Sequence, residues 1–89
     1  NFPNPFNPET TIRYAIPEAA QVRLVVYNIL GQEVVRLVDR DQVPGFYALR
    51  WDGKDSFGRG VASGVYLYKI HAVGETRRFA QVHKMLLLK

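Results

Sequence analysis

The 89-residue sequence has no cysteine and only one methionine. Neither a disulfide framework nor a thiolate zinc site can form, and the redox compartment leaves no mark on the chain. Stability must come from burial and hydrogen bonding. Long apolar runs are missing too: the longest, residues 85–88, falls far short of the roughly 20 apolar residues of a membrane-spanning helix. Nothing at the start resembles a secretory signal peptide. Acidic residues are in deficit, eight against twelve Lys and Arg, for a formal net charge of +4. Of the basic residues only Arg77 and Arg78 are adjacent, so no nucleic-acid site is indicated.

What is present is an ordinary globular composition, 47% hydrophobic and 22% charged, in a length that allows one domain. The opening stretch, NFPNPFNPET, stands apart, with prolines at 3, 5 and 8 interleaved with asparagines around Phe2 and Phe6. Proline favours extended backbone for itself and for the residue before it. Residues 1–8 are therefore expected to form a stiff, strand-like lead, stapled by Phe2 or Phe6 to a domain spanning 9–89, with the chain ordered from Phe6 onward.

From residue 10 the chain alternates. Ile12, Tyr14 and Ile16 face one way in TTIRYAI, and Val22, Leu24 and Val26 in QVRLVVYN. Both have the period-two pattern of a half-buried strand. Residues 28–31 supply a turn in which Gly31 can take positive φ before QEVVRLVD starts a third run. The Val43-Pro44-Gly45 sequence fits a type II turn, and FYALRWD then places Tyr47, Leu49 and Trp51 on one face, with Trp51 the candidate centre of the core. GKDSFGRGVASG reads as a long connection with one short bridge. VYLYKIHAV resumes alternation through Tyr66, Tyr68 and Ile70, and TRRFAQVHKMLLLK, after a tight turn at 74–75, is the last strand. No stretch favours helix periodicity. The fold class is all-β: an immunoglobulin-like sandwich of about seven antiparallel strands in two sheets.

Candidate chemistry is sparse. His71 and His83 lie on neighbouring strands, but no third zinc ligand accompanies them, and His71 shares its parity with Lys69, which suggests an exposed face. Asp52 and Asp55 in WDGKDSFG lack the alternating acids and terminal glutamate of a calcium loop and read as turn residues. Ser56 and Ser63 are not framed as nucleophiles, and Gly58, Gly60 and Gly64 lead into no helix that would cradle a phosphate. No catalytic residue, cofactor or metal is expected. Core packing explains most of the tyrosines and phenylalanines, while Tyr66, Tyr68 or Phe57, if exposed, would suit an appended carbohydrate-binding module.

Taken together, PNPFNPET-TIRYAIPE, YNILGQEV, VPGFY-LRWDGKD-GR-VASGVYLYK and HKMLLLK resemble the type A C-terminal sorting domain of the type IX secretion system, over essentially the whole chain. The section from LGQEV to GVYLYK is also similar to the immunoglobulin-like domain of the flagellar hook-capping protein. The first resemblance implies a secretion signal at the C-terminus of a larger exported protein, following an upstream cargo in the same parent chain. A type IX translocon would read it and a surface sortase would remove it, at the cell surface and without catalysis by the domain. It assigns signal recognition to Gly64, Val65, Tyr66, Lys84, Met85, Leu86 and Lys89, with His83 where a second lysine is common. The second implies a structural module in a surface assembly. In the terminal strand, Met85 and Leu87 would face the core and Leu86 and Leu88 the other side, leaving an apolar strip on an edge suited to a receptor or to a homodimer.

Overall fold

The computed structural model describes residues 10–88. It contains six strands: β1 (Thr10–Ile16), β2 (Ala20–Tyr27), β3 (Glu33–Gln42), β4 (Gly45–Trp51), β5 (Gly64–Gly74) and β6 (Arg78–Leu87). All pairings are antiparallel, β1 with β4 in one sheet and β3-β2-β5-β6 in the other. The immunoglobulin-like sandwich is thus observed with six strands rather than seven among the described residues. Segment 52–63 forms a loop closed by one Lys54–Gly60 bridge and supplies no strand. The lead over residues 1–8, the ordering expected from Phe6, and Lys89 lie outside the described residues.

Alternation set the faces as read. Ile12, Ile16, Val22, Leu24, Val38, Ile70 and Ala72 are buried between the sheets, and Val26, Trp51, Tyr66 and Leu87 form an adjoining cluster at one pole. Trp51 is fully enclosed, its indole N–H donating to the Lys54 carbonyl at 2.9 Å. The bond satisfies the one polar group that burying an indole would otherwise strand.

One turn differs from expectation. Gly45 has φ 159° and opens β4, whereas the third residue of a type II turn needs φ near about +80°. The physical reason is topological: β3 and β4 belong to different sheets, so Val43 and Pro44 carry the chain across the sandwich rather than closing a hairpin. Gly31 does take the left-handed conformation, at φ 81°, in a turn where the Asn28 side-chain oxygen accepts from the amides of Leu30 and Gln32.

At the opposite pole Glu18 ties two turns together. Its carboxylate accepts from the Thr76 amide at 3.0 Å and the Thr76 hydroxyl at 2.6 Å, and Arg77 lies at 3.5 Å. These contacts, led by the Thr76 hydroxyl, hold the Glu18 carboxyl below its ordinary value.

Candidate docking edge

β6 is one edge of the four-stranded sheet, and it draws the two halves of the sequence-assigned recognition set together. Gly64 stands opposite Leu87, Val65 opposite Leu86, and Tyr66 opposite Met85, with Leu67 opposite Lys84. Motifs some twenty residues apart in the chain are therefore rungs of one ladder. The pleat then divides them by face. Leu87 is buried and Met85 half-buried toward the core, while Leu86 and Leu88 are exposed, as the alternation required.

Tyr66 falls on the inner side. It is buried, meets Trp51 edge to face with ring centroids 5.2 Å apart, and donates its hydroxyl to the Ala62 carbonyl at 2.6 Å. A tyrosine near a strand start, bonded back to the backbone four residues upstream, is the tyrosine-corner arrangement of immunoglobulin-like sandwiches. The ASGVY motif is thus accounted for by folding, and Tyr66 is withdrawn from any external ligand. Tyr68 is half-buried and stacks on His83 at 5.0 Å, and burial raises its hydroxyl above the ordinary phenol value. Among the three proposed glycan-contacting aromatics only Phe57 is exposed, and the Arg59 guanidinium lies 4.9 Å from its ring centroid.

What faces outward is apolar and basic. Val65, Val82, Leu86 and Leu88 are between 40% and 68% exposed. Leu67 and Tyr27 continue the strip inward along the sheet as opposed partners in the β2–β5 pair. Lys69, Lys84 and Arg78 lie on the same parity, and neither β5 nor β6 contains an acidic residue. The turn between β2 and β3, at the same pole as Leu87, exposes Ile29 and Leu30. Sequence reading found Val65, Lys84 and Leu86 but missed Val82, Leu67, Ile29 and Leu30. Parity counted from Val65 and Leu86 would have found Leu67 and Val82; the turn residues carry no periodic signal.

The remaining candidates resolve into structure. The histidines lie on opposite faces of the sheet, His71 opposite Ala80 with its side chain outward and His83 stacked on inward-facing Tyr68, so the two cannot share a metal. Asp55 accepts from the Phe57 and Arg59 amides at 2.9 Å and from the Arg59 side chain at 3.2 Å. These bonds, the Arg59 amide foremost, hold its carboxyl below the ordinary value, and both oxygens are committed to the loop. Among the described residues no cluster of three His, Asp or Glu is positioned to hold a metal.

A family model described as the FlgD Ig-like domain matches residues 7–76. The chain belongs to the FlgD Ig-like domain family. The match falls on the hook-capping resemblance rather than on the sorting-domain one, and it ends before β6 begins. This FlgD Ig-like domain also superposes on the crystal structure of FlgD from P. aeruginosa with a TM-score of 0.70 at 24% identity, covering 89% of this chain and 61% of that one. That likeness is one of fold. No curated protein matches the chain.

Proposed function

We propose that this FlgD Ig-like domain is a non-catalytic structural module of an assembly outside the cytoplasm, and that it joins its neighbour through the open edge and outer face of β6. The family membership supports the module, and one observation carries the docking surface: the paired, exposed Val65 and Leu86 on an edge strand. An unpaired edge offers main-chain hydrogen bonds to an incoming strand, and apolar side chains beside it add area. The neighbour is a protein segment of the same assembly, its apolar residues meeting Val65, Val82 and Leu86 and its acidic residues meeting Lys69 and Lys84.

The test is a Val82→Ser, Leu86→Ser double variant of the parent protein. Thermal unfolding of the domain should be unchanged, while the fraction of parent protein retained in the assembled structure falls. Retention equal to the natural protein's would overturn the proposal. Concentration-dependent sedimentation of the isolated domain, abolished by the same variant, would identify the neighbour as a second copy, giving the homodimer through the last strand.

A second reading, the type IX sorting domain, is favoured by a separate feature. β6 and the lysine-bracketed KMLLLK, residues 84–89, lie beyond the family-matched segment. On that reading an upstream cargo is delivered by the type IX translocon and released by a sortase, with Lys84, Met85, Leu86 and Lys89 recognised. A reporter fused before Asn1 and expressed in a bacterium with that system distinguishes the two. Surface delivery that requires residues 84–89 supports sorting; a folded fusion held in the periplasm refutes it. So does unaffected export when Lys84 and Lys89 are both replaced in a folded domain.

A further inference from the structure

Val25 is buried without belonging to the core. It is 3% exposed, yet it joins neither core cluster and follows the outward parity of Arg23 and Tyr27 on β2. Long side chains cover it: Arg36 stands opposite it on β3 and Lys69 opposite it on β5. Over it lies a cleft of about 250 Å³ on the outer face of the four-stranded sheet, lined by Arg23, Val25, Tyr27, Lys69 and His71. Arg23 and His71 are themselves opposed across the β2–β5 ladder, so a guanidinium, an ammonium and an imidazole gather at one apolar floor. No acidic residue lines the cleft.

The carboxylate beside the cleft is already committed. Between Leu24 and Val25 the β2–β3 register skips Leu37, which turns both Asp39 and Arg36 outward although they are three residues apart. Asp39 then accepts from Gln21 through Oδ1 at 3.0 Å and from Arg36 through Oδ2 at 3.0 Å. Arg23 stays 3.9 Å away, beyond hydrogen-bond length. Lys69 and His71 have no hydrogen-bond or ion-pair partner among the described residues. Donors from three side chains therefore border the cleft with no acceptor in bonding range.

We infer that the cleft is a carboxylate site, taking one Asp or Glu side chain of an acidic protein segment laid across the outer face of β5 and β6. Charge complementarity sets the sign: Arg23 and Lys69 are cationic, His71 adds a donor, and no acid opposes them within the cleft. The surroundings favour a carboxylate over an inorganic oxyanion. β2 and β5 are each paired on both sides, so their amides are taken by the ladders, and phosphate lacks the main-chain donors that commonly cradle it. An aliphatic stem, by contrast, fits against Val25 and the Tyr27 ring while its carboxylate meets the three donors. That the segment belongs to the neighbour rests on the docking reading above. Lys69 stands opposite Val82, and the cleft lies within two strand spacings, roughly 10 Å, of β6.

The test is NMR titration of the full chain with the peptide acetyl-Leu-Glu-Leu-amide, its Gln counterpart and inorganic phosphate. The Glu peptide should shift the Val25 methyl and His71 ring signals saturably, and the Gln peptide should not. Arg23→Gln and Lys69→Gln should each weaken binding roughly two- to fivefold, the range of an exposed ion pair, and added salt should weaken it further. The Leu24 and Ile70 methyl signals report that each variant is folded. No binding, equal affinity for the two peptides, or phosphate bound more tightly than the Glu peptide through the same residues would overturn the carboxylate site. In the parent protein, Arg23→Gln combined with Lys69→Gln should lower retention in the assembly with Val82 and Leu86 intact. Peptide binding with unchanged retention would overturn the neighbour as the source of the carboxylate, whereas the docking reading itself falls only with the Val82→Ser, Leu86→Ser variant.

Discussion

The outer face of the four-stranded sheet has two dissimilar halves. On β3 and β2 the charges answer one another: Arg36 contacts Asp39 at 3.0 Å and Glu33 at 3.5 Å, and Arg23 reaches Asp39 at 3.9 Å. On β5 and β6 basic residues sit among exposed Val65, Val82 and Leu86 with no acid on either strand. Both halves end in an edge strand, yet β3 carries ion pairs and accepts the Ser56 amide at its Val34 carbonyl, while β6 is left chemically unanswered among the described residues. Edge strands are commonly blunted by charge, and a long apolar edge is a pairing template. The difference teaches which edge is available to a neighbour.

The comparison can be broken from within β6 itself. Leu87→Ala, on the buried side, should cost about 2–5 kcal/mol in chemical denaturation, enough to unfold much of so small a domain. Tyr66→Phe keeps the ring against Trp51 but loses the bond to Ala62; it should cost about 0.5–1.5 kcal/mol in the same assay. Leu86→Ser, one residue from Leu87 but outward, should change stability by no more than about 0.5 kcal/mol. Equal losses at positions 86 and 87 would erase the division by face.

Two smaller effects probe the charged contacts. Glu18 is held below its ordinary value first by the Thr76 hydroxyl, so its contribution is complete above the ordinary glutamate range, near about pH 4.3, and is lost as pH falls through the depressed folded value. Glu18→Gln should lower the melting temperature at neutral pH and flatten its further fall in acid, measured by thermal scans across that window. Smallest of all, Arg36→Ala should lower the melting temperature slightly at low salt and not at high salt, because these ion pairs are solvent-exposed and screened.

Much of this architecture was legible in the chain. Period-two alternation located all six strands and the inward residues, including Trp51 and Leu87, because one-sided burial imposes that pattern directly. Sheet membership was not legible: Pro44 and Gly45 look the same whether a chain reverses or crosses between layers, so the expected type II turn was not found. The residues that the sorting-domain resemblance assigned to recognition were not sorted by face in the sequence, since only the β5–β6 register shows that Tyr66 is a corner tyrosine and Val65 is on the surface. The type IX resemblance was read over essentially the whole chain, whereas the family match over residues 7–76 falls on the hook-capping resemblance.

The described ends of the chain meet at one pole: Thr10 pairs with Trp51, and Trp51 shares a cluster with Leu87. Tension drawn between these ends would peel β1 and β6 from their neighbours one rung at a time rather than shear a whole ladder at once. Mechanically the domain is a zipper loaded at its open end, with the Glu18 tie at the far pole the last to feel the pull. A module built this way yields early under load between its own ends.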